Sequence, residues 1–128
     1  RLSAAPLVTN QVEYHPYLDQ TRVLAKLKEH GMSLTAYCPI ARGRVADDPL
    51  LVEIGTAHGK SATQVALRWL IQQDGVIAIP RSGDEARVGA NFQVFDFALS
   101  AAEMARISGL GSTAGRLVDF ALAPEWDD

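Results

Sequence analysis

The chain reads as an α/β fold built on about three parallel strands with helices. Two observations predict it. Short β-branched runs alternate with amphipathic helical stretches, the order that forces parallel pairing through crossover connections. The polar residues that stand out, Asn10-Gln11 with residues 13–16, then Tyr37-Cys38 and Arg81-Ser82, form three groups at or just past the C-terminal ends of the strands. That is the edge where parallel α/β folds gather their ligands.

Each element has a local reason. Residues 7–14 read as a strand stopped by His15-Pro16. Asp19 then caps a helix running to about residue 30, with Val23, Leu24 and Leu27 on one face and Gly31 as its stop. Residues 33–37 are a second strand, followed by the polar loop "CPIARGRVADD". Asp48 and Pro49 make a cap and first-turn pair for a short helix to about residue 57. Ser61 and Gln64 form a capping box for a helix to about residue 73, whose Ala62, Val65, Ala66, Trp69 and Leu70 make a core face. Residues 76–79 read as the end of a buried third strand, and a helix over about 85–91 follows it. Ser100 and Glu103 form a second capping box, for a helix ending near Gly109 or Gly111, and the remainder, "STAGRLVDFALAPEWDD", reads as an irregular tail. Three strands leave a sheet with an unpaired edge on each side, whereas a (β/α)8 barrel needs eight strands in about 250 residues. With no initiator Met, the chain is expected to be the end of something larger.

Composition narrows the function class. A length of 128 residues with 48% hydrophobic and 21% charged residues is that of one globular domain. A net charge of −3, from 12 Lys+Arg against 15 Asp+Glu, argues against nucleic-acid and anionic-membrane partners. No apolar run approaches the roughly 20 residues of a membrane helix, and no signal peptide opens the chain. The single Cys38 forbids an internal disulfide and fits a reducing, cytoplasmic compartment. His15, His30 and His58 lack metal-ligand spacing, so no metal is expected. Cys38, His15 and Glu13 could be read as a nucleophilic triad, but His15 in "YHPY" reads better as a packed turn histidine.

After the third strand stand a guanidinium, Arg81, a hydroxyl, Ser82, and a second guanidinium, Arg87. Solvated surface charge explains either arginine alone; two arginines flanking one helix entry suit an anion.

The segments "TNQVEYHPYL", "LTAYCPIARG" and "IPRSGDEARVGAN", with "GKSATQVALRWLIQQ", "VFDFALSAAEMARI" and "LAPEWD", resemble the aldo-keto reductase family in this order, especially its bacterial 2,5-diketogluconate-reductase-like members. The resemblance covers nearly the whole chain. It implies that residues 1–128 are the C-terminal part of a single (β/α)8 TIM barrel domain with its N-terminal half absent. It also implies reduction of aldehydes or ketones by hydride from NADPH. Gln11 matches the glutamine that hydrogen-bonds the nicotinamide carboxamide, and Tyr37 the aromatic on which the nicotinamide stacks. Cys38 and Ile40 follow in the same cofactor-binding stretch. Arg81, Ser82, Arg87 and Asn91 match the adenosine-phosphate site, and Trp126 a loop bordering the substrate pocket. Arg81 stands where lysine is common, Cys38 where serine is usual, and Gly89-Ala90 where a glutamate often precedes the asparagine.

The family's catalytic Asp, Tyr, Lys and His match positions upstream of Arg1, so none is assigned here and the chain by itself is expected to be inactive. The expected partners are a small carbonyl substrate and the missing half, or a second copy in self-association. A different class of function, a non-catalytic NADPH-binding regulatory subunit on the same barrel, is the alternative; the presence of the catalytic set upstream would separate the two.

Overall fold

In the computed structural model, which describes residues 5–121, β1 (Thr9–Glu13), β2 (Ser33–Tyr37) and β3 (Val76–Ala78) form one parallel sheet in the order β1-β2-β3. The first crossover carries α1 (Thr21–Glu29). The second carries a 3-10 segment (Ala41–Asp47), α2 (Pro49–His58) and α3 (Ala62–Ile71). After β3 come α4 (Glu85–Phe92), α5 (Ala101–Ser108) and a short 3-10 turn (Thr113–Gly115).

Local chemistry sets most of these boundaries. The Asp48 carboxylate accepts from the backbone N–H groups of Leu50 and Leu51, with Pro49 in the first turn, where its missing N–H costs nothing. Both capping boxes form, Ser61 with Gln64 and Ser100 with Glu103. Asp19 behaves differently from the expectation. The residue at the α1 cap is Gln20, without a side-chain cap, and Asp19 accepts instead from the N–H and hydroxyl of Thr21. Gln20 is drawn inward, because its side-chain amide donates to the Glu13 carbonyl at 2.7 Å.

The pleat of β2 divides its side chains cleanly. Leu34 and Ala36 are buried against the helices, joined by Tyr14, Leu51, Val65, Trp69, Leu70, Leu99 and Ile107 in one core. Tyr14 packs on Trp69 at 5.2 Å between ring centroids and donates its hydroxyl to Gln73 Oε1 at 2.8 Å. The Trp69 indole N–H donates to Ser108 Oγ at 3.1 Å, joining α3 to α5. Truncating Trp69 to Ala would cost about 3–5 kcal/mol.

The other face is open except at its Glu13 end, where the segment after α5 covers that side chain. Register pairs Gln11 with Thr35 and Thr35 with Ile77, and then Glu13 with Tyr37. Partners in a parallel ladder project to the same side, so these rows line one face that no described helix covers. Ile77 is 49% and Ile79 43% exposed, so the third strand is not the buried one its β-branched run suggests. Its inner neighbour, Val76, does reach the core.

The loop after β2 is also more ordered than its polar sequence implies. Cys38, Ala41 and Arg42 all adopt left-handed φ values of 56°, 48° and 54°. This conformation costs a non-glycine residue about 1–2 kcal/mol. Ala41 and Val45, on either side of the kink at Arg42 and Gly43 and fully buried, anchor the segment and offset that strain. Among the described residues no helix is long and apolar enough to cross a membrane.

Candidate functional site

A cleft of about 510 Å³ opens where the chain leaves β3. Ile40, Gly43 and Ala46 of the first 3-10 segment and its approach form one wall. Ser61, Thr63 and Gln64 at the start of α3 form the floor, and Arg81, Ser82 and Gly83 the rim. Arg87, Ala90 and Asn91 of α4 close the far side. Five of the residues singled out in the sequence, Ile40, Arg81, Ser82, Arg87 and Asn91, therefore meet in one place.

The cleft is shaped by its capping interactions. Asp84 Oδ1 accepts from the backbone N–H of Arg87 at 2.9 Å and starts α4. The Arg87 guanidinium lies 3.7 Å from the same carboxylate and is largely exposed, so the pair is loose. Arg81 has no ion-pair partner among the described residues. The Ser82 hydroxyl donates to the Asp84 carbonyl at 3.2 Å and accepts from its N–H at 3.1 Å, closing a tight turn. Offering that O–H to an outside anion means turning it away from the carbonyl.

Gln64 is the residue of this site that the sequence undervalued. Its oxygen completes the capping box on Ser61 N–H, while its amide nitrogen donates to Ala90 O at 3.0 Å and Gln93 O at 3.4 Å. One side chain thus starts α3 and ties it to the C-terminal turn of α4, fixing the distance between the two walls. The capping-box pattern announced only the first of these roles. Gly43 and Ala46 were also missed; the buried pair Ala41 and Val45 is the signal that the loop around them is packed.

Gln11 and Tyr37 lie apart from the cleft, on the open face of the sheet, one row from each other. Gln11 is exposed. Burial pushes the half-buried Tyr37 hydroxyl up, and the nearby Glu13 carboxylate adds to the shift. Cys38 is half-buried at the turn out of β2, where its carbonyl accepts from Ala41 N–H at 2.9 Å. His15 takes no part with Cys38: its Nε2 meets Glu13 Oε1 at 2.8 Å and its Nδ1 accepts from Tyr17 N–H at 3.3 Å. Trp126 lies outside the described residues. Among the described residues no group of three or more His, Cys, Asp and Glu could hold a metal ion.

Comparison with known proteins identifies the family. A family model, that of the Aldo/keto reductase family, matches residues 1–111. Morphine 6-dehydrogenase of Pseudomonas putida is 44% identical over 115 residues, covering 79% of this chain and 38% of that protein. Glyoxal reductase of Bacillus subtilis is 42% identical, covering 82% of this chain and 37% of its own length. Among solved structures, one named provisionally as a 2,5-diketo-D-gluconic acid reductase B superposes with a TM-score of 0.96 at 57% identity, covering 99% of this chain and 46% of that one. A Gox0644 variant in complex with NADPH superposes with a TM-score of 0.83 at 32% identity, covering 88% of this chain and 41% of that one. The chain spans well under half the length of the curated relatives it matches. Its three strands and their helices correspond to part of the aldo-keto reductase TIM barrel. By sequence and by fold, the chain belongs to the aldo/keto reductase family of oxidoreductases.

Proposed function

We propose that this chain is the C-terminal portion of a single barrel domain that reduces aldehydes or ketones with NADPH, and that it carries much of the cofactor site. The observation that supports this best is the meeting of Arg81, Ser82, Arg87 and Asn91 in one cleft. NADPH differs from NADH by a 2′-phosphate, and two guanidiniums at one rim suit a phosphate dianion. The fit is physical: among the described residues Arg81 has no ion pair to break, and the Arg87–Asp84 contact is long and exposed. Asn91 and Ile40, on facing walls, suit the edge and face of the adenine.

The sheet's open face serves the other end. The Gln11 side chain offers both a donor and an acceptor to a carboxamide, and the Tyr37 ring offers a flat surface for stacking worth about 0.5–1.5 kcal/mol. Cys38, at the turn beyond Tyr37, holds the strand end to the wall that Ile40 continues. Bound there, NADPH would supply the hydride, and these residues would orient it. In this reading Trp126 shapes the substrate pocket and the carbonyl compound is the small-molecule partner.

The test is a titration of the full-length protein with NADPH and NADH. Replacing Arg81 and Arg87 together by Ala should weaken NADPH binding about 150-fold or more, from about 1.5–3 kcal/mol per hydrogen bond to a charged group. NADH binding should change less than threefold. Equal losses for both cofactors would show that the arginines do not read the 2′-phosphate.

A further inference from the structure

Glu13 and His15 form a buried titratable pair to which the cofactor reading gives no role. Both side chains are 0% exposed. Glu13 Oε1 accepts from His15 Nε2 at 2.8 Å and from the Leu117 backbone N–H at 2.7 Å, and Oε2 accepts from the Val118 N–H at 2.9 Å. His15 Nδ1 accepts from Tyr17 N–H, so that nitrogen carries no proton; Nε2 carries it, and the ring is neutral. The arrangement is a carboxylate with three donors, two of them main-chain groups more than 100 positions away in sequence.

The direction of this contact matters. Glu13 closes β1 and is paired in register with Tyr37, so the two side chains leave the same face at the same end of the sheet. The segment after α5 approaches that end in two steps. Ser112 first bridges to Leu18, and then Leu117 and Val118 reach the carboxylate. Leu117 also packs against the core, so the segment has apolar as well as polar anchors. Only an acceptor with two oxygens can serve both consecutive N–H groups and His15 at once. A glutamine of the same shape would turn an NH2 toward one of these donors.

We propose that Glu13 is a positioning residue for the substrate end of the site: its carboxylate holds the backbone of Leu117 and Val118 beside the sheet face that carries Tyr37, making the segment after α5 a fixed wall against which the carbonyl compound is oriented. This rests on the reading of Tyr37 as the platform for the reacting end of the cofactor. Glu13 touches neither cofactor nor substrate and acts through the segment it holds.

The experiment compares full-length wild type, Glu13→Gln and Val118→Pro, which removes one donor and leaves Glu13 and His15 in place. Amide hydrogen exchange at Leu117 and Val118, NADPH titration, and steady-state kinetics on a panel of aldehydes are the readouts. Glu13→Gln should speed exchange at both amides at least tenfold and raise KM at least fivefold with a changed ranking of aldehydes. Both kcat for the best substrate and NADPH affinity should stay within about twofold. Val118→Pro should move KM and ranking the same way and speed exchange at Leu117; if Glu13→Gln fails to fold, this variant decides. Unchanged exchange overturns the proposal, as does faster exchange with unchanged KM and ranking, the mark of a merely structural contact. A parallel loss of NADPH affinity also overturns it, because the effect is then general loosening. If wild type fails to bind NADPH, the cofactor reading falls and the substrate role with it, while the exchange measurement still decides whether Glu13 holds the segment.

Discussion

Tyr17 donates its hydroxyl to Asp48 Oδ2 at 3.0 Å, while Oδ1 of the same carboxylate caps α2. Burial and the Asp48 charge push the Tyr17 hydroxyl up to about 12, so it keeps its proton and remains a donor at neutral pH. The Arg44 guanidinium lies 5.2 Å above the same ring. The 3-10 segment that walls the cleft is thus pinned, at Arg44 and at its exit, to one aromatic side chain from the turn after β1.

Removing that hydroxyl should loosen the wall without dismantling it. Tyr17→Phe is expected to cost about 1 kcal/mol in urea denaturation, the scale of one partly solvated hydrogen bond. In the full-length protein it should weaken NADPH binding a few-fold, since a pre-organised wall becomes a mobile one. Asp48→Ala should cost more, because the α2 cap is lost as well, adding about 1 kcal/mol. A Tyr17→Phe variant as stable as wild type would mean that the Tyr17 contact carries nothing, and equal stability of the two variants that the cap adds nothing.

Acid should weaken the docking of the segment after α5. Burial alone pushes the Glu13 carboxyl up, but the Leu117 N–H, His15 and Val118 N–H outweigh it, leaving it below the usual 4.5. Burial lowers His15 below its usual 6.5 against the pull of Glu13, with Arg44 and Arg116 adding to the fall. Both groups therefore bind protons more readily unfolded than folded, and stability falls as pH falls. The His15 share is complete above 6.5 and declines below it; the Glu13 share declines only below 4.5. Urea midpoints measured from pH 8 to pH 4 should decline in that order, and a midpoint that rises on acidification would contradict both assignments.

Two glycines should respond to alanine with opposite signs. A Cβ on Gly115 would fall onto the Tyr17 carbonyl group, whose backbone neighbour Leu18 is held by its bridge to Ser112. Gly115→Ala should cost about 1–3 kcal/mol through overpacking and release the segment that follows. Gly89, inside α4, has nothing within 4 Å of the same position. Gly89→Ala should stabilise by about 0.5–1 kcal/mol through helix propensity alone. Thermal melts of the two variants check both signs.

Residues 1–128 purified alone should not reduce aldehydes. Proton transfer needs a donor about 2.6–3.2 Å from the substrate oxygen, and the matching tyrosine is expected upstream of this stretch. Ile77, Ile79, Phe92 and Phe95 are all exposed here, and β1 and β3 each have a neighbour on one side only among the described residues. Such edges template association. Light scattering should report dimers or larger species, with no NADPH oxidation in the presence of a nitrobenzaldehyde. An active, monodisperse monomer of this length would overturn the half-barrel reading.

What could be read from the amino-acid order was the local chemistry. Asp48-Pro49, Ser61 with Gln64, and Ser100 with Glu103 each complete a hydrogen-bonded cap within four residues, so these helix starts are legible without a fold. Residues 33–37 were legible as a strand for a similar reason: the pleat writes its period of two into Leu34 and Ala36. The tertiary structure alone decided where polar groups find distant partners. Gln64 announced a cap but not its grip on α4, and Asp19 looked like a cap while Gln20 was drawn beneath β1. Ile77 looked buried because its residue type is that of a covered strand, yet exposure depends on what lies across the sheet. Glu13 is the sharpest case. Its partners are the N–H groups of Leu117 and Val118, and since every residue but proline carries an N–H, no side-chain pattern could mark them.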